Sequence, residues 1–403
     1  MNRLRFPSSF DRDLRLLTYS MGVRRIAMGF LGVLRSIYFA LLGFSPVKIG
    51  ILLSIATFVS AIHHITFGML SDRFGRKKFL VLGGIFASLR FLIFAISQDF
   101  WMLALGQGIG AMGEGAGAGQ PVVSGYIADK TGISERRVVF SAMAVTNALT
   151  TTLGSLMAGL PAIFEATLKL DVISAHVTIF WIGLVITCLS MVFLLWLEDV
   201  QPGIKMTSEE VVESDYNRDW RIIAKFSLVR STSGVGLGFI QSLMDLYFFI
   251  RFGTGGEVLG PIYALARFMS MFSYALIPSV TERWGEIKPL VASRMITAGL
   301  ALGFSMVNWY PLAVALLIGF RLMMMFTMPI RQSFATGLVN PRDTATAIGI
   351  SNFARMSLRT IAPTVAGYMF EAISLSTPFI SGAIFMVLNG ILYRAWFQPR
   401  EQK

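Results

Sequence analysis

Two polar side chains stand within an otherwise apolar run and could carry out proton chemistry there. Glu114 lies half-way along the run, and Gln107 is two helical turns earlier on the same face. Burial disfavours the charged form of a carboxyl group and a nearby arginine favours it. A carboxylate held between these two influences can exchange protons with a bound molecule. The alternative is a static ion pair with an arginine of a neighbouring helix.

Arginine outnumbers carboxylate within the apolar runs. Arg355 and Arg359 lie one turn apart on one helix face, and Arg35 and Arg321 lie in two other runs. A charge inside a membrane-spanning helix costs about 2.5–3.5 kcal/mol on insertion scales, so each of these residues needs a partner or a role. A guanidinium group forks onto carboxylate and phosphate oxygens, so an arginine-lined cavity favours an anionic or phosphate-bearing ligand.

Three other charges could lie closer to water. We expect Arg230 and Arg331 to extend along their helices and place their charge at a membrane interface. Asp245 lies near the outer end of its run, where a coupling role and an exposed vestibule position both fit the sequence.

The elements that carry these residues are long apolar segments. Hydrophobic residues make up 54% of the chain and charged residues only 14%, whereas a soluble domain carries roughly a quarter charged residues. The apolar runs recur along the chain, and each is long enough to cross a ~30 Å hydrocarbon core. We therefore predict an all-α membrane protein and not a soluble enzyme. The twelve predicted spans are 16–42, 49–67, 79–97, 101–128, 138–164, 174–197, 222–250, 257–278, 289–307, 310–337, 344–371 and 376–397.

The spans fall into two sets of six, separated by one long polar stretch. We predict a first six-helix bundle over 1–197, a cytoplasmic linker over 198–221 and a second bundle over 222–403. This is the layout of a transporter built from two similar halves. The formal charge of +12 resides mostly in alternate loops, which predicts a multi-pass protein of the cell membrane with both termini in the cytoplasm.

The loop between spans 2 and 3 reads GMLSDRFGRKK over 68–78. It resembles the signature loop of the major facilitator superfamily, which is Gly, any, Leu, small, Asp, Arg, any, Gly, Arg, Lys. Every defined position is filled, and the loop lies between the second and third of twelve spans. The resemblance implies that family's fold, with two pseudo-symmetric six-helix bundles and alternating access to a central site.

The resemblance also implies a cytoplasmic gate. In the family, the matching aspartate faces the N-terminus of helix 11, where a helix dipole favours a carboxylate; here that helix would start near Asp343. Arginine can bind carboxylates bidentately, and Asp129 is the natural partner of Arg76. A purely basic loop that sets orientation is the alternative. The predicted gating residues are Gly68, Asp72, Arg73, Gly75, Arg76, Lys77 and Asp129.

Some expected patterns are imperfect or misleading. Ala104 stands where many relatives carry an arginine before Gln-Gly, and the glycines of span 5 do not have the drug-antiporter spacing. A GxGxxG stretch at 108–113 lies inside an apolar span and has no strand before it, so it predicts helix packing and not a nucleotide site. His63 and His64 are adjacent and point apart, and we predict no metal and no cofactor.

We therefore expect a secondary transporter of a small molecule, coupled to protons and acting as a monomer in the lipid bilayer, with no nucleic-acid partner. A multidrug/proton antiporter, a lipid flippase and a non-transporting sensor are the alternatives. The predicted substrate and coupling residues are Glu114, Gln107, Arg35, Asp245, Arg321, Arg355 and Arg359.

Overall fold

The structure, a computed structural model, describes residues 11–113, 121–198, 220–275, 277–338 and 344–401. Within these ranges the chain forms helices joined by short connections, and no strand occurs. The helices are α1 (Arg12–Leu41), α2 (Pro46–Phe74), α3 (Arg76–Ile96), α4 (Phe100–Gly113), α5 (Pro121–Lys130), α6 (Ile133–Met157), α7 (Leu160–Leu168), α8 (Val172–Leu195), α9 (Trp220–Gln241), α10 (Met244–Phe252), α11 (Gly256–Ala275), α12 (Ile277–Trp284), α13 (Ile287–Met306), α14 (Tyr310–Gly337), α15 (Thr344–Ala372) and α16 (Thr377–Glu401).

The all-α membrane fold predicted from the sequence is confirmed. Each predicted span corresponds to one helix or to two consecutive helices, and the tenth span has the predicted bounds. Among the described residues, eight stretches are long and apolar enough to cross a membrane. The helices begin and end within a few residues of the prediction because the apolar run and its polar flanks are local features of the chain.

Two spans are interrupted in ways the sequence did not predict. The fifth breaks between Met157 and Leu160, where Pro161 starts the next helix. The seventh breaks after Gln241, and its second helix begins at Met244. Interrupted helices free backbone and side-chain polar groups inside a membrane protein, and such breaks are commonly found beside binding sites.

The chain divides into two compact units. The first is drawn from Met1–Leu42, Val59–Val212 and Gly256–Pro261, and the second from Gly43–Phe58, Glu213–Gly255 and Ile262–Lys403. The main change of unit lies within the predicted linker 198–221, most of which is outside the described residues. Two short outer segments group with the opposite half of the chain. The division into bundles over 1–197 and 222–403 stays a prediction.

Glycines bring pairs of helices into backbone contact within each unit. In the first unit, a Cβ on Gly154 would lie 2.1 Å from the Ile26 carbonyl oxygen. In the second unit, a Cβ on Gly234 would lie 2.5 Å from the carbonyl oxygen of Arg355. Small residues allow such close approach between membrane helices. The contact at Gly234 fixes the turn of α15 that carries Arg355.

A matching tyrosine lies in the first predicted span of each half, on α1 and on α10. Tyr38 Oη donates a hydrogen bond to the Phe94 carbonyl at 3.5 Å, and Tyr247 Oη donates one to the Phe304 carbonyl at 2.7 Å. Each ring also packs edge-on against one phenylalanine of the last helix in its half. These repeated contacts support the two-fold internal repeat that the spans indicate.

Candidate functional site

A cavity of about 580 Å³ lies within the second unit. We call it the arginine cavity, because five of its lining side chains are arginines and none of the described lining residues is a carboxylate. Its volume falls in the range of pockets that hold small organic ligands. The lining residues are Arg230, Ser233, Leu237, Gln241, Arg294, Met324, Met328, Arg331, Ile348, Asn352, Arg355, Arg359 and Tyr393.

Two facing helix stripes form most of the cavity wall. The lining residues of α9 run from Arg230 to Gln241, and those of α15 run from Ile348 to Arg359, each at steps of three or four residues. This spacing places each set on one face of its helix. At 1.5 Å rise per residue, each stripe extends about 16 Å along the helix axis, so the cavity is elongated.

Cross-helix hydrogen bonds hold two of the arginines. Arg230 Nη2 donates to Asn352 Oδ1 at 2.6 Å, and the Arg230 guanidinium also lies 5.5 Å from the Phe226 ring centroid. Arg359 Nη2 donates to Gln241 Oε1 at 3.3 Å. Both partners are neutral amides, so these bonds orient the guanidinium groups without cancelling their charge.

Two cavity arginines have donors that no described residue satisfies. Arg294 is 1% exposed, and its Nε and Nη2 atoms lack a hydrogen-bond partner among the described residues. Its Nη1 atom lies 3.9 Å from the sulfur of Met386, which is a weak acceptor. Arg355 Nε likewise lacks an acceptor within the described chain. A buried unsatisfied donor is costly, so the burial of these two guanidinium groups is not fully compensated by the described residues.

The sequence interpretation of several cavity residues was incomplete. Arg230 and Arg331 line the cavity, and the position of their charges at a membrane interface stays a prediction. Arg294 was not singled out, although a charge within an apolar span could have marked it. Met324 and Met328 also line the cavity; they belong to a methionine-rich stretch for which the sequence favoured packing or lipid contact over an adaptable ligand surface.

Asp245 forms a buried cluster with Tyr263 and Arg321 in the second unit. Tyr263 Oη donates to Asp245 Oδ1, and the two residues are 3% and 8% exposed respectively. The Arg321 guanidinium lies 4.1 Å from the centroid of the Tyr263 ring. Asp245 is therefore buried, and its predicted alternative as an exposed vestibule residue is wrong. Arg321 belongs to this cluster and is not one of the residues that line the arginine cavity.

The first unit contains a second basic cluster. Gln107 is completely buried, and its Oε1 atom lies 3.5 Å from Arg35 Nη1. Arg90 is also completely buried, and its Nη2 atom lies 3.5 Å from the Gln107 carbonyl oxygen. Gln107 thus lies beside two arginines. Glu114, the residue that the sequence placed two turns later, lies outside the described residues.

The predicted gating loop has a local geometry that explains its glycine. Gly75 adopts a φ of +96° between α2 and α3, a conformation that glycine accepts without steric cost. Arg76 Nε lies 2.5 Å from Asp129 Oδ2, at the end of α5. A Cβ on Gly125 would lie 1.3 Å from Arg76 Nη1, so Gly125 makes room for this guanidinium. The sequence did not indicate Gly125.

The structure describes the other predicted gating residues only in part. Arg73 is exposed and lies 5.5 Å from the Phe74 ring centroid, and Lys77 is partly buried near the start of α3. Gly68 lies within the last turns of α2. The side chain of Asp72, and residue Asp343, are outside the described part of the structure.

A further ion cluster, not predicted from the sequence, joins three helix ends of the first unit. Lys130 Nζ lies 2.6 Å from Asp13 Oδ2 and 3.7 Å from Glu198 Oε2, and Tyr126 Oη lies 3.2 Å from Asp13. Partial burial lowers the pKa of Lys130, but the hydrogen bond to Asp13 and the charges of Asp13, Asp11 and Glu198 outweigh it and raise that pKa above its ordinary value.

Long apolar helices with internal polar cavities define a multi-pass membrane protein. The sequence profile of the Major Facilitator Superfamily matches residues 17–363, and the chain belongs to this family. Family membership indicates a transporter and not an enzyme.

Individual relatives are distant. The chain is 28% identical to the tetracycline resistance protein, class B, of Escherichia coli over 59% of this chain and 58% of that protein. It is 24% identical to multidrug resistance protein 1 of Bacillus subtilis over 83% of this chain and 84% of that protein. A crystal structure of a mutant of the nucleoside transporter NupG has the same fold, with a TM-score of 0.76 and 14% identity over 96% of this chain and 100% of that chain.

Proposed function

We propose that the protein is a secondary active transporter that moves a small organic anion across the cell membrane by alternating access. The arginine cavity is its substrate site. The observation that carries the proposal is that five arginines line one cavity, and that no carboxylate residue is found among its described lining residues. Family membership supports transport, whereas the fold alone leaves the substrate open.

Proton coupling is the second part of the proposal. Glu114 remains the first candidate for the proton carrier, because it lies two helical turns after Gln107 in the sequence. Asp245 is the second candidate, since its carboxylate, the Tyr263 hydroxyl and the Arg321 guanidinium lie in one buried cluster. Protonation of Asp245 would change the net charge of this buried cluster and so favour one conformation over the other. A ligand or proton that binds one conformation better shifts the protein toward it.

The gate is the third part. We propose that Arg76 and Asp129, together with Asp72, Arg73 and Lys77, stabilise one end state at the cytoplasmic side and separate in the other. The ion pair between Arg76 and Asp129 supports this role. We also propose that both termini lie in the cytoplasm, which the basic loops support, and that the protein acts as a monomer.

Flux in liposomes tests the proposal. Purified protein is reconstituted, and uptake of radiolabelled organic anions is measured with and without a pH gradient. We expect a pH gradient to accelerate anion uptake. We also expect anion uptake to fall at least tenfold in Arg355→Gln, because the anion loses its interaction with one guanidinium group of the cavity. Arg394→Gln is the matched control, since Arg394 is exposed and is not a lining residue of the cavity.

Two results would overturn the proposal. Anion uptake that is unchanged in Arg355→Gln would remove the cavity from the transport path. Binding of an anion without any flux would instead favour a sensor.

Multidrug/proton antiport is the second candidate function. Its support is the similarity to the tetracycline resistance protein and to multidrug resistance protein 1. The same liposomes distinguish the two, with ethidium as a lipophilic cation. Ethidium transport by the unmodified protein would favour drug efflux, because an arginine-lined cavity repels a cation.

A further inference from the structure

The five cavity arginines repel one another electrostatically, in addition to the hydrogen bonds that two of them donate to amide side chains. The Arg355 guanidinium is within electrostatic reach of the other four, and Arg294 is within reach of Arg230 and Arg331. Arg355 therefore experiences repulsion from each of the other cavity arginines. Each like-charge contact is unfavourable, and a single negative charge would leave most of this repulsion in place.

Three residues of the cavity lining also carry buried hydrogen-bond donors. Arg294 Nε, Arg294 Nη2 and Arg355 Nε have no acceptor among the described residues. The buried Ser233, another lining residue, has an Oγ atom that likewise has none within the described ranges. Several guanidinium groups that line one cavity are best satisfied by an acceptor with more than two oxygens. A phosphate monoester supplies three terminal oxygens and close to two negative charges near pH 7.

The rest of the cavity lining is apolar and adaptable. Leu237, Ile348, Met324 and Met328 line the same space as the arginines. Methionine side chains adjust to ligands of different shape. A cavity of about 580 Å³ is also far larger than an inorganic anion needs. The lining therefore suits a ligand with a charged head and an organic body.

We infer that the arginine cavity recognises a phosphate monoester, in which a dianionic phosphate group is attached to an organic body. The inference rests on the proposed function, because it names the class of anion that the same site takes. The phosphate group lies among Arg294, Arg355, Arg230 and Arg331, and the organic body lies along the apolar lining. A soluble organic phosphate and a single-chain lipid phosphate share this chemistry, so the test includes both.

Calorimetric titration of the purified protein in detergent tests the inference. The probes are p-nitrophenyl phosphate, its sulfate analogue, benzoate, inorganic phosphate and oleoyl lysophosphatidate. We expect the phosphate ester to bind at least about tenfold tighter than the sulfate ester at pH 7.5, since the sulfate carries one charge. Inorganic phosphate is expected to bind more weakly than the phosphate ester.

The pH dependence identifies the charge state of the ligand. With phenyl phosphate as the titrated ester and a second phosphate pKa of about 6, the dianion falls from nearly all of the ester at pH 7.5 to about a quarter at pH 5.5. The affinity for the phosphate ester is expected to fall about three- to fourfold. The sulfate ester does not titrate in this range, and guanidinium and phenol groups ordinarily keep their charge state there, so the ratio of the two affinities isolates the ligand.

Each outcome supports or overturns the inference. Equal affinity for phosphate, sulfate and carboxylate probes would overturn it and leave anion transport standing, whereas no binding of any anion would overturn both proposals. Tighter binding of lysophosphatidate than of the nitrophenyl ester would support the inference with a lipid as the source of the phosphate.

Charge-conserving variants test whether the phosphate ester binds in the arginine cavity. Arg355→Lys retains the charge but loses the planar fork, and the affinity for the phosphate ester is expected to drop about tenfold. Arg394→Lys is expected to leave it unchanged. Arg359→Lys serves as the second cavity variant if Arg355→Lys does not fold. Unchanged affinity in a folded cavity variant would contradict the inference.

Discussion

One substitution at Arg294 distinguishes a ligand-binding role of this residue from a structural role. In Arg294→Met the apolar stem of the side chain is retained, and the guanidinium is removed from a position that is 1% exposed. A structural arginine would stabilise the protein, so its removal would lower the melting temperature. An arginine kept for a ligand destabilises the ligand-free protein, so its removal is expected to raise the melting temperature.

The expected size follows from the unsatisfied atoms. Nε and Nη2 of Arg294 have no acceptor among the described residues, and each buried unsatisfied donor costs about 1–3 kcal/mol. Local relaxation recovers part of this cost, so we expect Arg294→Met to stabilise the ligand-free protein by about 2 kcal/mol. Replacement of buried ionic groups by apolar ones has effects of this size. For a chain of this length the gain corresponds to a rise of about 2 °C.

The assay is the apparent melting temperature in detergent at one scan rate, with and without p-nitrophenyl phosphate. Arg294→Met is expected to melt at a higher temperature without ligand and to lose most of the ligand-induced shift. Arg394→Met controls for the chemical change at an exposed site, and both of its values should match the unmodified protein. A lower melting temperature without ligand, or an undiminished ligand shift, would refute the reasoning.

Three further predictions concern the gate, the ion cluster and the coupling residue. Gly125→Ala places a Cβ 1.3 Å from Arg76 Nη1, so Arg76 must leave Asp129 and we expect liposome transport to fall severalfold. Gly32→Ala is the control, because its Cβ meets no atom within 4 Å, and this variant should transport normally. The pKa of Lys130 is raised in the folded protein. The stability that Lys130 contributes is therefore present below the ordinary lysine pKa and is lost as the pH rises through the raised pKa. Asp13→Asn should reduce this loss of stability in melting curves taken from pH 9 to 12. Asp245→Asn should abolish acceleration by a pH gradient yet retain anion exchange, and a normal response to the gradient would exclude Asp245 as the proton carrier.

The sequence was sufficient for the helical framework and for the gating loop. Span positions follow from runs of apolar residues, because a helix that meets lipid must satisfy its own backbone and be long enough to cross the hydrocarbon core. The positive φ of Gly75 and the pairing of Arg76 with Asp129 are consistent with local spacing and charge, so both could be expected from the chain. The family resemblance rested on the same residues.

Only the tertiary structure decided which arginines share a cavity. Arg294 and Arg355 lie on different helices, and the rotation of each helix about its axis is set by contacts such as the one between Gly234 and the Arg355 carbonyl. Periodicity identifies the residues on one helix face but not the helix that this face meets. For the same reason Asp245 is buried against Tyr263 and not exposed at the outer end of its span. Local hydrophobicity determines the spans, and packing between helices determines the site.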